Sequence, residues 1–254
     1  MKIIINPEFD RLKSFIEALP SVFDKEGEVV YKERNEIKVF EAGGESLIVK
    51  SFKIPHFFNG IIYSCLRPSK AERSYKFALK LIELDINTST PVAYIEDHQA
   101  GMLVSSYYIS VYKKYPGILR ELRYSPLASN EGLVSAFAEF TADIHQKEVL
   151  PLDYSSGNIL YEKIDNKYSF CLIDINRMQF LPVDMELGAY GFRRLWGNEE
   201  TIAFMAREYA RIRNFDKDTF ERLVLKYHRI FWQKYSKKHK GFKPYEETPP
   251  SLRA

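Results

Sequence analysis

The two stretches Leu152–Leu160 and Cys171–Asn176 limit this chain more than any others. Leu152-Asp153-Tyr154-Ser155-Ser156-Gly157-Asn158 is good turn chemistry, yet it runs directly into the apolar pair Ile159-Leu160, and a second apolar run, Cys171-Leu172-Ile173, ends on Asp174. A turn alone accounts for Ser-Ser-Gly-Asn. It does not account for two strand-like runs with an Asn entering one and an Asp leaving the other. Folded as a β-hairpin, they present Asn158 and Asp174 as two oxygen ligands to one Mg2+. Asp153 adds a carboxylate on the loop just ahead. A carboxylate held there can orient a hydroxyl and take its proton during attack on a phosphate.

Composition leaves room for such a site. The chain has 254 residues, 45% of them hydrophobic and 15% aromatic, enough for one large domain or two small ones with a buried core. A net charge of +3 is too mild to suggest a nucleic-acid partner. Ile3-Ile4-Ile5 is too short for a signal-peptide core, and no apolar run reaches the length of a bilayer-spanning helix, so a soluble cytoplasmic protein is expected. Cys65 and Cys171 read as free thiols, Cys171 in the core, and no His-x-x-x-His or Cys-x-x-Cys pair supports zinc.

Periodicity predicts an α+β chain. Residues 7–23 read as a short helix closed by Pro20, followed by a three-strand meander over Glu28–Lys32, Glu36–Phe40 and Ser46–Phe52, turning at Gly43-Gly44. A helix over Ser69–Leu84 buries Ala71, Tyr75, Ala78, Leu79 and Ile82, and a second hairpin pairs Val92–Glu96 with Met102–Tyr108. The remainder reads as mainly helical: Glu131–Gln146, Glu199–Ile212 and Lys217–Lys237, with an irregular stretch over Asn176–Asn198 and a frayed tail from Lys238. The expected boundary separates residues 1–107, a small antiparallel-sheet lobe with one main helix, from residues 108–254, a mainly helical lobe.

Further residues are candidates for the site. Lys50 ends the apolar run Leu47-Ile48-Val49 and is placed to meet nucleotide phosphates, with Lys53 as a competitor. Glu72 either anchors that lysine or closes the capping box Ser69-Lys70-Ala71-Glu72 at its own helix start. In the glycine-free turn Glu33-Arg34-Asn35-Glu36, Arg34 offers a phosphate contact and Asn35 tolerates a left-handed backbone, although a plain charged hairpin reads equally well. Tyr107, at the lobe boundary, is also assigned to nucleotide binding. His145, at the end of an apolar helix, reads as packed and hydrogen-bonded. The basic series from Arg207 to Lys240 reads first as a solvated helix face, and interleaved Phe231, Trp232 and Tyr235 leave open docking on an anionic membrane surface or a phosphorylated glycolipid.

With these residues in view, the chain resembles the lipopolysaccharide core kinase family of the Kdo/WaaP type, within the protein-kinase-like superfamily. The matching stretches are Leu47–Lys53, Ser69–Tyr75, Asn87–Tyr94, Leu152–Leu160 and Ile173–Met178, spread over residues 28–198. The resemblance implies a two-lobed fold, ATP with Mg2+, and transfer of the γ-phosphate to a sugar hydroxyl of a lipid-linked core at the inner face of the inner membrane. By position it makes Lys50 the phosphate-contacting lysine, Asp153 the catalytic Asp, and Asn158 and Asp174 the metal ligands. The chain departs from the pattern at Pro151-Leu152, where kinases carry His-Arg or His-Gly before the Asp, in its glycine-free nucleotide loop, and in the alignment of Glu72. A protein or small-metabolite acceptor, and a pseudokinase acting as a binding module, are the competing readings.

Overall fold

Along Asn35–Ala42 and Glu45–Phe52 the inward residues Phe40, Leu47 and Val49 alternate with more exposed neighbours, the period of a strand with one face on a core. The computed structural model describes residues 1–33, 35–52, 68–239 and 242–246. Its chain divides into two compact units, Met1–Lys114 and Tyr115–Ala254. The division lies beyond Tyr107, because the strand Met102–Val111 runs through that residue without interruption.

The first unit is built on a six-stranded antiparallel sheet of β1 (Lys2–Ile5), β2 (Glu28–Lys32), β3 (Asn35–Ala42), β4 (Glu45–Phe52), β5 (Pro91–Gln99) and β6 (Met102–Val111), in the order β1-β5-β6-β4-β3-β2. Strand β1 is one more than the sequence suggests. Its run of three isoleucines does not alternate, and it becomes a strand by pairing with β5, Ile3 opposite Ile95 and Ile5 opposite Ala93. The β3–β4 turn is Gly43-Gly44, both with positive φ (57° and 79°), as a two-residue hairpin loop of matching twist requires. A Cβ on Gly43 would meet Leu12 Cδ2 at 2.5 Å, so glycine also admits the helical segment that covers this sheet face.

That cover is a 3-10 turn (Pro7–Leu12) and α1 (Lys13–Val22). Phe9, Leu12, Ile16, Leu19 and Phe23 pack on Phe40, Leu47, Val49, Ile95, Tyr107 and Ile109. Pro20 lies inside α1 and does not end it. Losing one backbone hydrogen bond costs about 1 kcal/mol, less than the burial of Ile16, Leu19 and Phe23 contributes. Lys38, on the same face, is buried and donates to the carbonyls of Phe23 (2.5 Å) and Glu26 (3.1 Å), just past the C-terminus of α1. Helix α2 (Lys70–Glu83) packs against β5 and β6, with Tyr75 against Tyr94 at 5.4 Å. Its buried face is Ala71, Ser74, Tyr75, Ala78 and Leu81, and Ile82 is exposed.

The second unit is organised around α3 (Glu131–Gln146), which has the bounds its periodicity predicts. It packs against β8 (Val149–Pro151), β10 (Lys167–Leu172) and α5 (Glu199–Arg213), and α5 packs on α6 (Lys217–Lys238). Hairpin β9 (Ile159–Ile164)–β10 turns at Asp165-Asn166, both at positive φ, and the short β7 (Gly117–Ile118) extends it. The stretch expected to be irregular contains β11 (Met178–Phe180), paired with β8, and α4 (Met185–Gly191), capped by Asp184. Seven residues with two glycines are too few to show a helical period. The described part of the tail is not frayed: Phe242 stacks on Trp232 (5.4 Å, 15°), Pro244 O accepts from Gly197 N–H (3.0 Å), and Glu246 pairs with Arg123.

His145 is fully enclosed and shares a hydrogen bond with Tyr209 Oη (2.9 Å), which also accepts from Arg213 (2.9 Å). Burial, with the Arg213 charge, pushes the His145 imidazole from 6.5 to about 3. Burial likewise takes His228 to about 4, although its hydrogen bond to Leu195 O and the Glu199 charge pull the other way. Between these values and 6.5 the unfolded chain binds protons that the folded chain does not, so stability falls as pH drops through that window. Each histidine is expected to remove about 2 kcal/mol by pH 5. Urea midpoints measured from pH 7 to 5 should therefore fall, and His145→Gln should flatten the slope; an unchanged slope in that variant would contradict the assignment.

Candidate active site

Backbone bonds place the three residues that the sequence singles out. Leu152 N–H donates to Arg177 O (2.9 Å), tying the end of β8 to the start of β11. Tyr154 then turns inward, stacks on Phe137 (5.7 Å) and bonds Thr141 Oγ1 through its hydroxyl (2.9 Å), which leaves its neighbour Asp153 part-exposed. Asp153 O accepts from Ser155 N–H (2.8 Å) and from Asn158 Nδ2 (3.0 Å). That bond uses one of the two Nδ2 hydrogens and leaves the Asn158 Oδ1 as an acceptor.

Asn158 O accepts from Ile173 N–H (3.0 Å), which extends the β9–β10 pairing by one residue and puts Asp174 beside the loop that carries Asp153. Asp174 has φ +56°, uncommon for a residue other than glycine, and Asn176 Nδ2 donates to its Oδ1 at 2.5 Å. Such a conformation costs on the order of 1 kcal/mol and persists where the surroundings over-determine it. Asp153, Asn158 and Asp174 line one small pocket with Arg177 and Met178. Among the described residues, no group of three or more His, Cys, Asp or Glu side chains is arranged to hold a metal. One carboxylate and one amide oxygen fit a Mg2+ that keeps waters and substrate phosphates among its ligands, and they do not fit an all-protein cage.

Arg194 was not foreseen. It forms an ion pair with Asp153 Oδ1, and its guanidinium lies 5.4 Å from the Phe231 ring centre. Arg193 donates to Leu152 O (3.0 Å) and Trp196 N–H to the buried Ser156 Oγ (2.8 Å). The available signal was the Arg193-Arg194 pair within the stretch read as irregular.

In the first unit, Lys50 lies on β4 between Ile37 of β3 and Tyr108 of β6, 5.3 Å from the Phe52 ring. Ser69 Oγ accepts from Glu72 N–H (3.0 Å), one half of the predicted capping box, while the Glu72 carboxylate is held by Lys76 (2.6 Å) and Lys2 (3.4 Å). Burial raises the Glu72 carboxyl, but these two lysines more than offset it and hold it below the usual range. Asn35 opens β3 opposite Phe52, and its buried Oδ1 has no hydrogen-bond partner among the described residues. Arg34, Lys53 and Cys65 lie outside the described residues; Cys171 is buried, its Sγ 4.0 Å from Leu172 O. Tyr107 lies on β6. It pairs across from Ser51, on the opposite sheet face from Lys50, and packs in the core at 5.2 Å from Phe23. Side chains alternate along a strand, so Tyr108 shares the Lys50 face.

No protein-family model matches the chain, and no curated protein matches it in sequence. Solved structures do match. WaaP, solved in complex with acyl carrier protein, aligns with a TM-score of 0.62 at 18% identity, covering 91% of this chain and 100% of its own. A candidate aminoglycoside phosphotransferase from Ralstonia eutropha aligns with a TM-score of 0.53 at 11% identity, covering 91% and 92%. At these identities the likeness establishes architecture: the chain has a protein-kinase-like fold.

Proposed function

We propose that the protein is an ATP- and Mg2+-dependent phosphotransferase with an alcohol as acceptor, and that the acceptor is a sugar hydroxyl of a lipopolysaccharide-core-type glycolipid. The observation that carries the reaction class is the meeting of Asp153, Asn158 and Asp174 in one pocket, held by backbone bonds of the loop and hairpin. Asp153 receives the hydrogen of the attacking hydroxyl and aligns its oxygen on the terminal phosphate. Asn158 Oδ1 and the Asp174 carboxylate would hold the metal. The chemistry supplied there, when Mg2+ is bound, would be neutralisation of the charge that builds on the phosphate oxygens. Lys50 is assigned to the nucleotide phosphates from its strand position and family resemblance. Glu72, engaged by Lys2 and Lys76, is given no nucleotide contact.

The glycolipid acceptor rests on resemblance. Peripheral docking at the inner face of the inner membrane rests on the exposed Lys226, Lys234, Lys237 and Lys238 of α6. Other members of the basic series are tied to carboxylates: Arg207 to Asp218 and Glu221, Arg211 to Glu208, and Arg229 to Glu199. No helix among the described residues is long and apolar enough to cross a membrane.

The deciding experiment supplies ATP labelled at the γ-phosphate together with bacterial lipid extract, a protein fraction or a metabolite pool. Label should enter the lipid fraction only with Mg2+, and chelation with EDTA should abolish transfer. Label in another fraction would overturn the acceptor. ATP binding by thermal shift without consumption in any fraction would favour a pseudokinase module.

A further inference from the structure

We infer that Arg194 is a positioning residue for Asp153, and that the segment Arg193–Trp196 provides from outside the loop the support missing at Pro151-Leu152. The inference rests on the phosphotransferase reading above. Within the loop, hydrogen bonds from Ser155 and Asn158 hold the carbonyl of Asp153 but not its carboxylate. The carboxylate is held by Arg194, at Oδ1.

The neighbours of Arg194 grip the same loop on either side. Arg193 takes Leu152 O at 3.0 Å, and Trp196 N–H takes Ser156 Oγ at 2.8 Å. Three residues of this four-residue segment, Arg193, Arg194 and Trp196, thus hold the loop before, at and after Asp153. A carboxylate has about four lone-pair sites on two oxygens, so an arginine on Oδ1 leaves Oδ2 to receive the acceptor hydroxyl. Arg194 is itself steadied by the Phe231 ring. The segment is anchored in turn: Leu195 is fully buried, its carbonyl accepts from His228 (3.0 Å) and Trp232 (3.2 Å), and Trp196 lies 5.5 Å from Phe242. Arg194 therefore sets the rotamer of Asp153 from a rigid base. A misplacement of about 1 Å in a group of this kind costs on the order of 100-fold in rate.

The test compares Arg194→Met, Arg194→Lys and a control, Arg222→Ala on the exposed side of α6, by steady-state Mg-ATP turnover and by amide exchange over residues 152–158. Arg194→Met should lower kcat about 100-fold with KM for ATP unchanged. Arg194→Lys should recover part of that loss, and Arg222→Ala should match wild type. Amides of the loop should exchange faster in Arg194→Met and not in the control. A kcat within about twofold of wild type, or a loss confined to KM for ATP, would overturn the positioning role. If the wild-type protein turns over no ATP, the phosphotransferase reading fails on its own. Exchange then decides the clamp: faster exchange in Arg194→Met upholds it, and unchanged exchange refutes it.

Discussion

Asp153→Ala is expected to lower phosphoryl transfer by about 10²- to 10⁴-fold, the range removed when a general base is lost. The fold should survive. The Asp153 side chain is 24% exposed and its ion partner Arg194 is 28% exposed, so the pair contributes at most about 1 kcal/mol to stability. After truncation Arg194 still has the Phe231 ring beside it. Asn158 loses nothing, because its amide bonds the backbone carbonyl of residue 153 and not the side chain. The affinity for Mg-ATP should stay close to wild type, since the proposed metal ligands remain. Single-turnover kinetics with labelled ATP, alongside nucleotide titration by calorimetry, separates the two effects. Turnover near the wild-type rate would remove Asp153 from its assigned role.

Phe137→Ala should produce the largest loss of stability, about 3–5 kcal/mol. Phe137 is fully buried on α3 and joins three aromatic neighbours: Tyr154 stacked at 5.7 Å, Phe170 edge-on at 5.5 Å and Phe140 at 6.4 Å. The cavity would open beneath the loop, because Tyr154 follows Asp153 in sequence and packs directly on the lost ring. Beyond the stability loss, transfer should slow under conditions where the variant is still folded. Urea unfolding followed by fluorescence gives the first quantity and activity at low denaturant the second. A destabilisation below about 1 kcal/mol would show that the surrounding rings collapse into the space.

The two variants act at different depths of one construction. Asp153 is held at its side chain by an arginine and at its backbone by Asn158, while Tyr154 is held from below by Phe137 and Thr141. Alternating inward and outward residues at 153 and 154 thus turn one into the floor of the loop and expose the other to the pocket.

Much of this was readable from local pattern. The period of Leu133, Phe137, Phe140 and Ile144 marks α3, the Gly43-Gly44 and hairpin signals mark the meander, and Asp153, Asn158 and Asp174 stand out by spacing alone. Helical and strand periods repeat within a few residues, so they are carried by neighbours in sequence. What only the tertiary structure decided depends on partners far along the chain. Strand β1 exists because β5 offers it an edge. Glu72 meets Lys2, Arg123 meets Glu246, and Arg194 meets Asp153 across long stretches of chain that no local period records. The two tyrosines of β6 are sorted in the same way: in a strand the side chain of the next residue points the other way, so pairing with β4 puts Tyr107 in the core and Tyr108 on the Lys50 face. Spacing in the sequence marked out the three acid and amide residues that line the pocket, and packing chose the arginine that pairs with Asp153.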